Sequence, residues 1–441
     1  MNKKDAIKYL IDNMDENSKL KNVSVNNCLN KNIDEKILKC IKLLNYSLTA
    51  NGTLYNNNIK GFMNDIIEKN YNDRKKYREI MNINKKRYQE TGSEEDLNSI
   101  SKYHNLQMAK KIQINAFYGA QANVFFRWFN FERAEAITTS GQLAIQWVAK
   151  DINIYFNKLL NTTEVDYIIA SDTDSVYISL EKLISYINND TDESKIINAI
   201  DIFCNKKILP FVDHSFKNLA DYINAYDQKI EMGREIIANK GIWKAKKMYI
   251  LNVWDKDGIR YKEPELKMMG IEAVRSSTPH ICRAKIKESL KIIMNGTQEE
   301  LQTFVRNFRK EYENLPFEDI AFPRGVNNIH DYKDAANIYK KSTPIHVRAA
   351  LMFNIMIKKH NLNNISPIFN GDKIKFAYLK MPNPIHENVI GTIDILPSEF
   401  KLEKYIDRNL QFSKTFLEPL KSITNVIEWE PEQRATLEGL L

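Results

Sequence analysis

Asp172 and Asp174 lie in the stretch Y-I-I-A-S-D-T-D-S-V-Y-I-S-L, residues 167–180. Apolar and β-branched residues lead up to Ala170 and resume at Val176, with Ser171, Thr173 and Ser175 around the two acids. The pattern predicts two short strands joined by a tight polar turn. Two carboxylates this close repel one another unless a cation compensates. A hard divalent ion such as Mg²⁺ takes oxygen ligands of this kind and leaves positions open for phosphate oxygens. Taken alone, the same residues also read as an ordinary solvated aspartate turn.

A second candidate group is cationic. Arg74 and Arg78 stand one helical turn apart, as do Lys111 and Asn115, with Tyr118 about a turn further on. Three cations and an amide on facing helices suit a triphosphate, since Arg and Lys neutralise phosphate oxygens and Asn adds hydrogen bonds. A solvated charged face is the other meaning of such a pattern. A third group lies in K-G-I-W-K-A-K-K-M-Y-I-L-N-V, residues 240–253, with Lys267 beyond it. Lysines among aromatics on a strand suit a nucleic-acid backbone. An edge strand protected by lysine fits the same residues.

The elements that must position these groups follow from periodicity. Phe62, Ile66, Ile67, Tyr71, Tyr77 and Met81 recur at helical spacing from Gly61, and Thr91-Gly92-Ser93 breaks the run. A second helix starts near Glu94, with Leu97, Ile100, Leu106, Met108 and Ile112 as packing positions, so the two form an antiparallel αα-hairpin. A helix over 134–160 carries the apolar stripe Leu143, Trp147, Val148, Ile152 and Phe156, with Thr139 or Ser140 as cap of its main portion. That stripe reads as core beneath the acidic hairpin. Residues 191–224 contain further helix, 240–253 read as strand, and helices follow to Asn295 and over 298–312. Residues 1–45 predict little beyond some helix.

The chain has 441 residues, 43% of them hydrophobic, which is ample for two or three subdomains. A net charge of +8 and a pI near 8.9 favour a polyanionic partner. No apolar run is long enough to span a bilayer, so no membrane partner is expected. Cys28, Cys40, Cys204 and Cys282 have neither metal-ligand spacing nor a disulfide framework, and a reducing, cytoplasmic compartment fits them.

The motifs occur in a telling order. K-I-Q-I-N-A-F-Y-G (111–119) precedes S-D-T-D-S, and K-A-K-K-M-Y follows. This order resembles the catalytic part of a family B DNA polymerase of the T-even phage type, with K-x-x-x-N-S-x-Y-G as motif B, D-T-D-S as motif C and K-K-x-Y after it. N-V-F-F-R-W-F (123–129), G-Q-L-A-I-Q-W (141–147), S-S-T-P (276–279) and P-I-F-N-G-D-K-I (367–374) extend the resemblance from about Tyr46 onward.

The resemblance implies an α+β right-hand polymerase fold: a partial palm with an antiparallel sheet, helical-hairpin fingers and a mainly helical thumb. It places an N-terminal segment and the start of the palm at 1–60, fingers at 61–118, palm at 119–275 and thumb at 276–441. It implies a metal-ligand role for Asp174, with Asp172 as its near neighbour. It puts Arg74, Arg78, Lys111 and Asn115 on the incoming dNTP, Tyr118 and Gly119 beside the nascent base pair, and Lys246, Lys247, Tyr249 and Lys267 on primer-template DNA. Arg78 stands where the family usually has Lys, Ala116 where it has Ser, and Met248 where a basic residue is frequent. The last residues resemble a sliding-clamp peptide with Leu437, Leu440 and Leu441 as anchors, and also read as a plain amphipathic tail.

The family's motif A, D-x-x-S-L-Y-P-S, and its exonuclease D-x-E signature are not found in these residues. The expectation is therefore a C-terminal half of a split polymerase. Two Mg²⁺ ions would need one ligand from a partner chain carrying motif A and the 3′–5′ exonuclease. A catalytically inert DNA-binding or scaffold subunit, or a truncated gene product, is the alternative.

Overall fold

A computed structural model describes residues 1–186, 192–334 and 338–433. They fall into two compact units, one of Met1–Ile237 with Trp254–Glu263, the other of Ala238–Val253 with Pro264 onward. Helices dominate, and among the described residues the strands form four small sheets, so the fold is α+β as expected.

The first unit opens with α1 (Lys3–Asp12), α2 (Val25–Leu29) and α3 (Glu35–Leu44). The side chains of Asn2, Ser24 and Asp34 accept backbone N–H groups at their starts, as good N-caps do. An antiparallel pair follows, β1 (Tyr46–Leu48) and β2 (Leu54–Asn56). Then come the long helices α4 (Phe62–Thr91), α5 (Glu94–Ala120) and α6 (Phe131–Leu159). The antiparallel hairpin of β3 (Ile168–Asp172) and β4 (Ser175–Ile178) is next, then α7 (Glu181–Ile184), α8 (Glu193–Phe203) and α9 (Leu209–Tyr222). The expected stripe on α6 is buried, and it packs with Cys28, Ile37, Cys40, Ile41 and Leu48. Residues 1–45 are thus part of the core that α6 organises.

A sheet in the order β5-β6-β7 contains β5 (Ile236–Ala245), β6 (Met248–Lys256) and β7 (Ile259–Met269). The second unit continues with α10 (His280–Asn295), α11 (Gln298–Tyr312) and α12 (Phe317–Ile320). After β8 (Phe322–Gly325) and α13 (Ile345–Lys359) come β9 (Lys373–Tyr378) and β10 (Val389–Thr392). These strands pair antiparallel in the order β10-β9-β8, with Phe322 opposite Phe376 and Ile390 opposite Ala377. Helices α14 (Arg408–Phe412) and α15 (Glu418–Thr424) follow. Phe308, Tyr312, Phe412 and Phe416 interlock in this core, with ring centroids 4.8–5.7 Å apart, a spacing typical of favourable aromatic pairs.

Three local expectations are corrected. The cap of α6 is Asn130, whose side chain accepts from the Arg133 N–H; Thr139 lies inside the helix and donates to the Glu135 carbonyl. On α5, Leu97, Leu106 and Ile112 are exposed, while the buried residues are Asp96 and Gln107. A two-helix hairpin offers only a narrow seam, so apolar spacing there does not guarantee burial. Residues 240–253 form two strands, and Lys246-Lys247 is the turn between them, with Lys247 at a left-handed φ of 62°.

Candidate nucleotide and DNA site

The acidic hairpin is held from beneath by α6. Asn153 donates to the Asp166 carboxylate and accepts from the Tyr167 N–H, both at 2.8 Å. Asn157 donates to the Val165 carbonyl at 2.7 Å, and the Phe156 and Tyr167 rings lie 5.3 Å apart. These contacts fix where β3 begins. Pairing of Asp172 with Ser175 leaves Thr173 and Asp174 as a two-residue turn. Thr173 adopts a φ of 55°, the Asp174 N–H donates to the Asp172 carbonyl at 2.6 Å, and the Ser175 hydroxyl donates to the same carbonyl. The Asp172 carboxylate accepts from the Thr173 hydroxyl at 3.1 Å. Asp174 is exposed, and neither acid has a cationic partner among the described residues.

Two carboxylates at one hairpin tip, Asp172 ending β3 and Asp174 in the turn, match the donor chemistry of a hard cation such as Mg²⁺. They do not make a full shell. No cluster of three or more His, Cys, Asp or Glu suited to a metal occurs among the described residues.

The α4–α5 hairpin has a legible register. Lys110 pairs with Asp73 at 3.0 Å and donates to Asn70 at 2.8 Å, the Tyr77 and Tyr103 rings are 6.1 Å apart, and Arg87 pairs with Asp96 at 3.0 Å. This register sets the Lys111 turn level with the Arg74 turn. Lys110, rather than Lys111, crosses to α4; Lys111 and Asn115 are exposed, as are Tyr118 and Gly119. Arg74 is half-buried, and its Nε is buried without a hydrogen-bond partner. Arg78 is already engaged, pairing with Asp257 at 2.7 Å. No hydrogen bond or ion pair joins these cations to Asp172 or Asp174 among the described residues.

In the second unit, Lys246 and Lys247 are exposed on their turn. That turn is closely backed: a Cβ on Gly270, which has a φ of 67°, would lie 2.3 Å from the Lys247 carbonyl oxygen. Only glycine allows this approach without a shift. Tyr249 is 6% exposed and stacks on Trp243, with centroids 6.3 Å apart. Lys267 is half-buried on β7. Leu437, Leu440 and Leu441 lie outside the described residues. No helix among the described residues is long and apolar enough to cross a membrane.

Sequence alone does not single out Asp257, the partner of Arg78. Asp257 belongs to an Asp-Gly pair between strand-like runs, a strong hairpin signal. Its partner is 179 residues away, so spacing could not reveal the ion pair.

Comparison with known proteins identifies the family. The model of DNA polymerase family B matches residues 14–422. The DNA-directed DNA polymerase of enterobacteria phage T4 is 35% identical over 350 residues, covering 76% of this chain and 38% of that protein. That of Escherichia phage RB69 is 32% identical over 349 residues, covering 75% of this chain and 38% of its own. A DNA polymerase of Pyrococcus glycovorans is 27% identical over 234 residues, 52% of this chain and 25% of the relative. The chain thus spans 38% of the length of its phage relatives. With the motifs in order on the expected helices and hairpin, and the family match running through both units, the chain belongs to DNA polymerase family B.

Proposed function

We propose that this chain supplies the fingers, the motif C acids and the thumb of a DNA-directed DNA polymerase that extends a primer 3′-OH with dNTPs. In this reading residues 61–118 are fingers, 119–275 palm and 276–441 thumb. The observation that carries it is the acidic turn: two carboxylates presented outward on a braced hairpin, with no cation of the described residues to neutralise them. Such an arrangement serves no stabilising purpose that the structure discloses, and it suits a bound cation.

Asp174 and Asp172 would hold Mg²⁺. When bound, the pair of ions used in this chemistry lowers the pKa of the attacking 3′-OH and neutralises charge on the triphosphate and departing pyrophosphate. Arg74, Arg78 and Lys111 neutralise triphosphate oxygens, and Asn115 adds a neutral donor. Tyr118 and Gly119, exposed at the end of α5, would flank the nascent base pair. Lys246 and Lys247 present two ammonium groups to the DNA backbone from a turn that Gly270 holds in place. Tyr249, being buried, would support that turn through Trp243 rather than meet DNA over its whole ring.

A second polypeptide carrying motif A and the exonuclease completes the site in this proposal. Exposed apolar side chains between α5 and α6 support a covering partner. Phe125 is 94% exposed, and Val124, Trp128, Phe129 and Phe131 are exposed beside it. The C-terminal leucines Leu437, Leu440 and Leu441 remain candidates for a sliding-clamp contact, and the expected setting is the host-cell cytoplasm.

Primer extension with Mg²⁺ and four dNTPs tests the proposal, using this chain, the candidate partner and the mixture. Extension by the wild-type mixture alone, reduced at least about a hundredfold by Asp174→Asn, is the expected result. Robust extension by the lone chain would reject completion in trans. DNA binding without extension in any combination would reject the polymerase reading.

A further inference from the structure

Helix α4 meets the rest of its unit largely through charge. Glu68 pairs with Lys229 at 2.7 Å, Lys75 with Glu231 at 2.8 Å and Arg78 with Asp257 at 2.7 Å. Spacings of seven and three place Glu68, Lys75 and Arg78 on one face of the helix. The first two pairs are between exposed side chains and hold weakly. The third differs, because its carboxylate is built into the fold.

Asp257 and Gly258 form the turn between β6 and β7, with φ values of 54° and 76°. The Asp257 N–H donates to the Glu235 carbonyl at 2.7 Å, and its side chain is 18% exposed. The start of the turn is locked by Asp255, which is buried. Its carboxylate accepts from the Gly258 N–H at 3.0 Å and is gripped by the guanidiniums of Arg234 and Arg260. Arg234 also binds Asp201 at 2.7 Å. Asp255 therefore takes both Arg234 and Arg260, and Asp257 is left to face α4.

The surroundings of Asp257 carry more positive charge than one acid neutralises. Lys85, one helical face along from Arg78, lies partly buried there; burial pushes its ammonium below the ordinary value, Lys256 adds to that, Asp257 opposes it and Arg78 adds again. One carboxylate thus stands among Arg78, Lys85 and Lys256. A phosphate group presents more negative charge and more acceptor oxygens than that carboxylate, in a geometry the guanidinium fork fits equally well.

We propose that Asp257 is a resident competitor for nucleotide: it holds Arg78 while the site is empty, and Arg78 exchanges its carboxylate for triphosphate oxygens when dNTP binds. This rests on the reading of α4 given under Proposed function and adds a gating residue to it. Asp257 touches neither substrate nor metal in this scheme. It sets what fraction of the molecules offer a free Arg78, and apparent affinity scales with that fraction.

The test is calorimetric titration of the full chain with inorganic tripolyphosphate, a probe that lacks base and sugar. Asp257→Asn keeps the turn, since Asn accepts a left-handed φ, and removes the charge. It should bind about three- to tenfold tighter than wild type. Arg78→Ala should bind more weakly, and adding Asp257→Asn to it should change nothing further. Asp257→Ser, a second way to remove the charge, should repeat the gain. Equal or weaker binding by both Asp257 variants, with Arg78→Ala still weakened, would overturn the competitor role and leave the triphosphate reading standing. Unchanged binding in Arg78→Ala, or no binding by any variant, would overturn that reading and this inference with it.

Discussion

The α4–α5 hairpin and helix α13 illustrate two ways of holding a helix. Over 30 residues α4 buries only Met81, and over 27 residues α5 buries only Asp96 and Gln107. Over 15 residues α13 buries eight, including Val347, Leu351, Phe353 and Met356. The hairpin is tied by ion pairs and amides along one seam. Helix α13 is embedded in a continuous apolar core with β9 and β10. Apolar burial is non-directional and strong, so it fixes α13 in one place. Exposed ion pairs are weak and exchangeable, so they suit a region that must trade protein partners for substrate. The residues proposed to meet nucleotide lie on the loosely held element.

The largest test of this contrast is Phe353→Ala. Phe353 is fully buried against Phe400, so the change should cost about 3–5 kcal/mol, read as a shift of the urea midpoint of the second unit. Leu106→Ala, on the exposed side of α5, should cost under about 0.5 kcal/mol. Equal losses would break the comparison.

Asp96→Ala probes the one deeply buried charge of the hairpin. Asp96 pairs with Arg87, accepts from the Thr91 hydroxyl at 3.2 Å and sits in the first turn of α5, where a carboxylate is favoured. Its removal should cost about 1–2 kcal/mol, confined to the end of the hairpin around Gly92. Amide exchange should quicken there and stay unchanged in α13; a global change would show that the hairpin unfolds with its unit.

Salt is the gentlest probe. Raising ionic strength from about 0.05 to about 0.5 M should speed amide exchange in α4 a few-fold and leave α13 unaltered, because screening acts on exposed pairs such as Lys75–Glu231. A matching response in both helices would mean that charge is not what distinguishes them.

The same contrast explains what could be read from sequence. Helix α11 is found over residues 298–312 as expected, because its apolar residues repeat and Thr297 with Glu300 makes a capping box. The stripe of α6 and the acidic turn were legible for similar local reasons. The exposed Leu97, Leu106 and Ile112 were not, because periodicity reports an apolar face and not whether anything covers it. Nor were Arg78–Asp257 and Lys75–Glu231, whose partners lie 179 and 156 residues apart. Long-range charge pairing leaves no periodic trace, and that is the chemistry on which the loosely held region depends. The carboxylate pair itself was readable, yet its braces at Asn153 and Asn157 were not, since a helix asparagine that clamps a later strand looks like any polar surface residue.

The length of α4 has a mechanical consequence. Thirty residues at 1.5 Å each make a rod about 45 Å long. Its ionic moorings at Glu68, Lys75 and Arg78 all lie in its first 17 residues, while Lys110–Asp73 and Arg87–Asp96 lash it to α5 along its length. A tilt of α4 about its moored end would therefore be shared by α5. From Arg78 to Thr91 the rod runs about 20 Å, so a tilt of about 10° about Arg78 would carry the far end through roughly 3 Å.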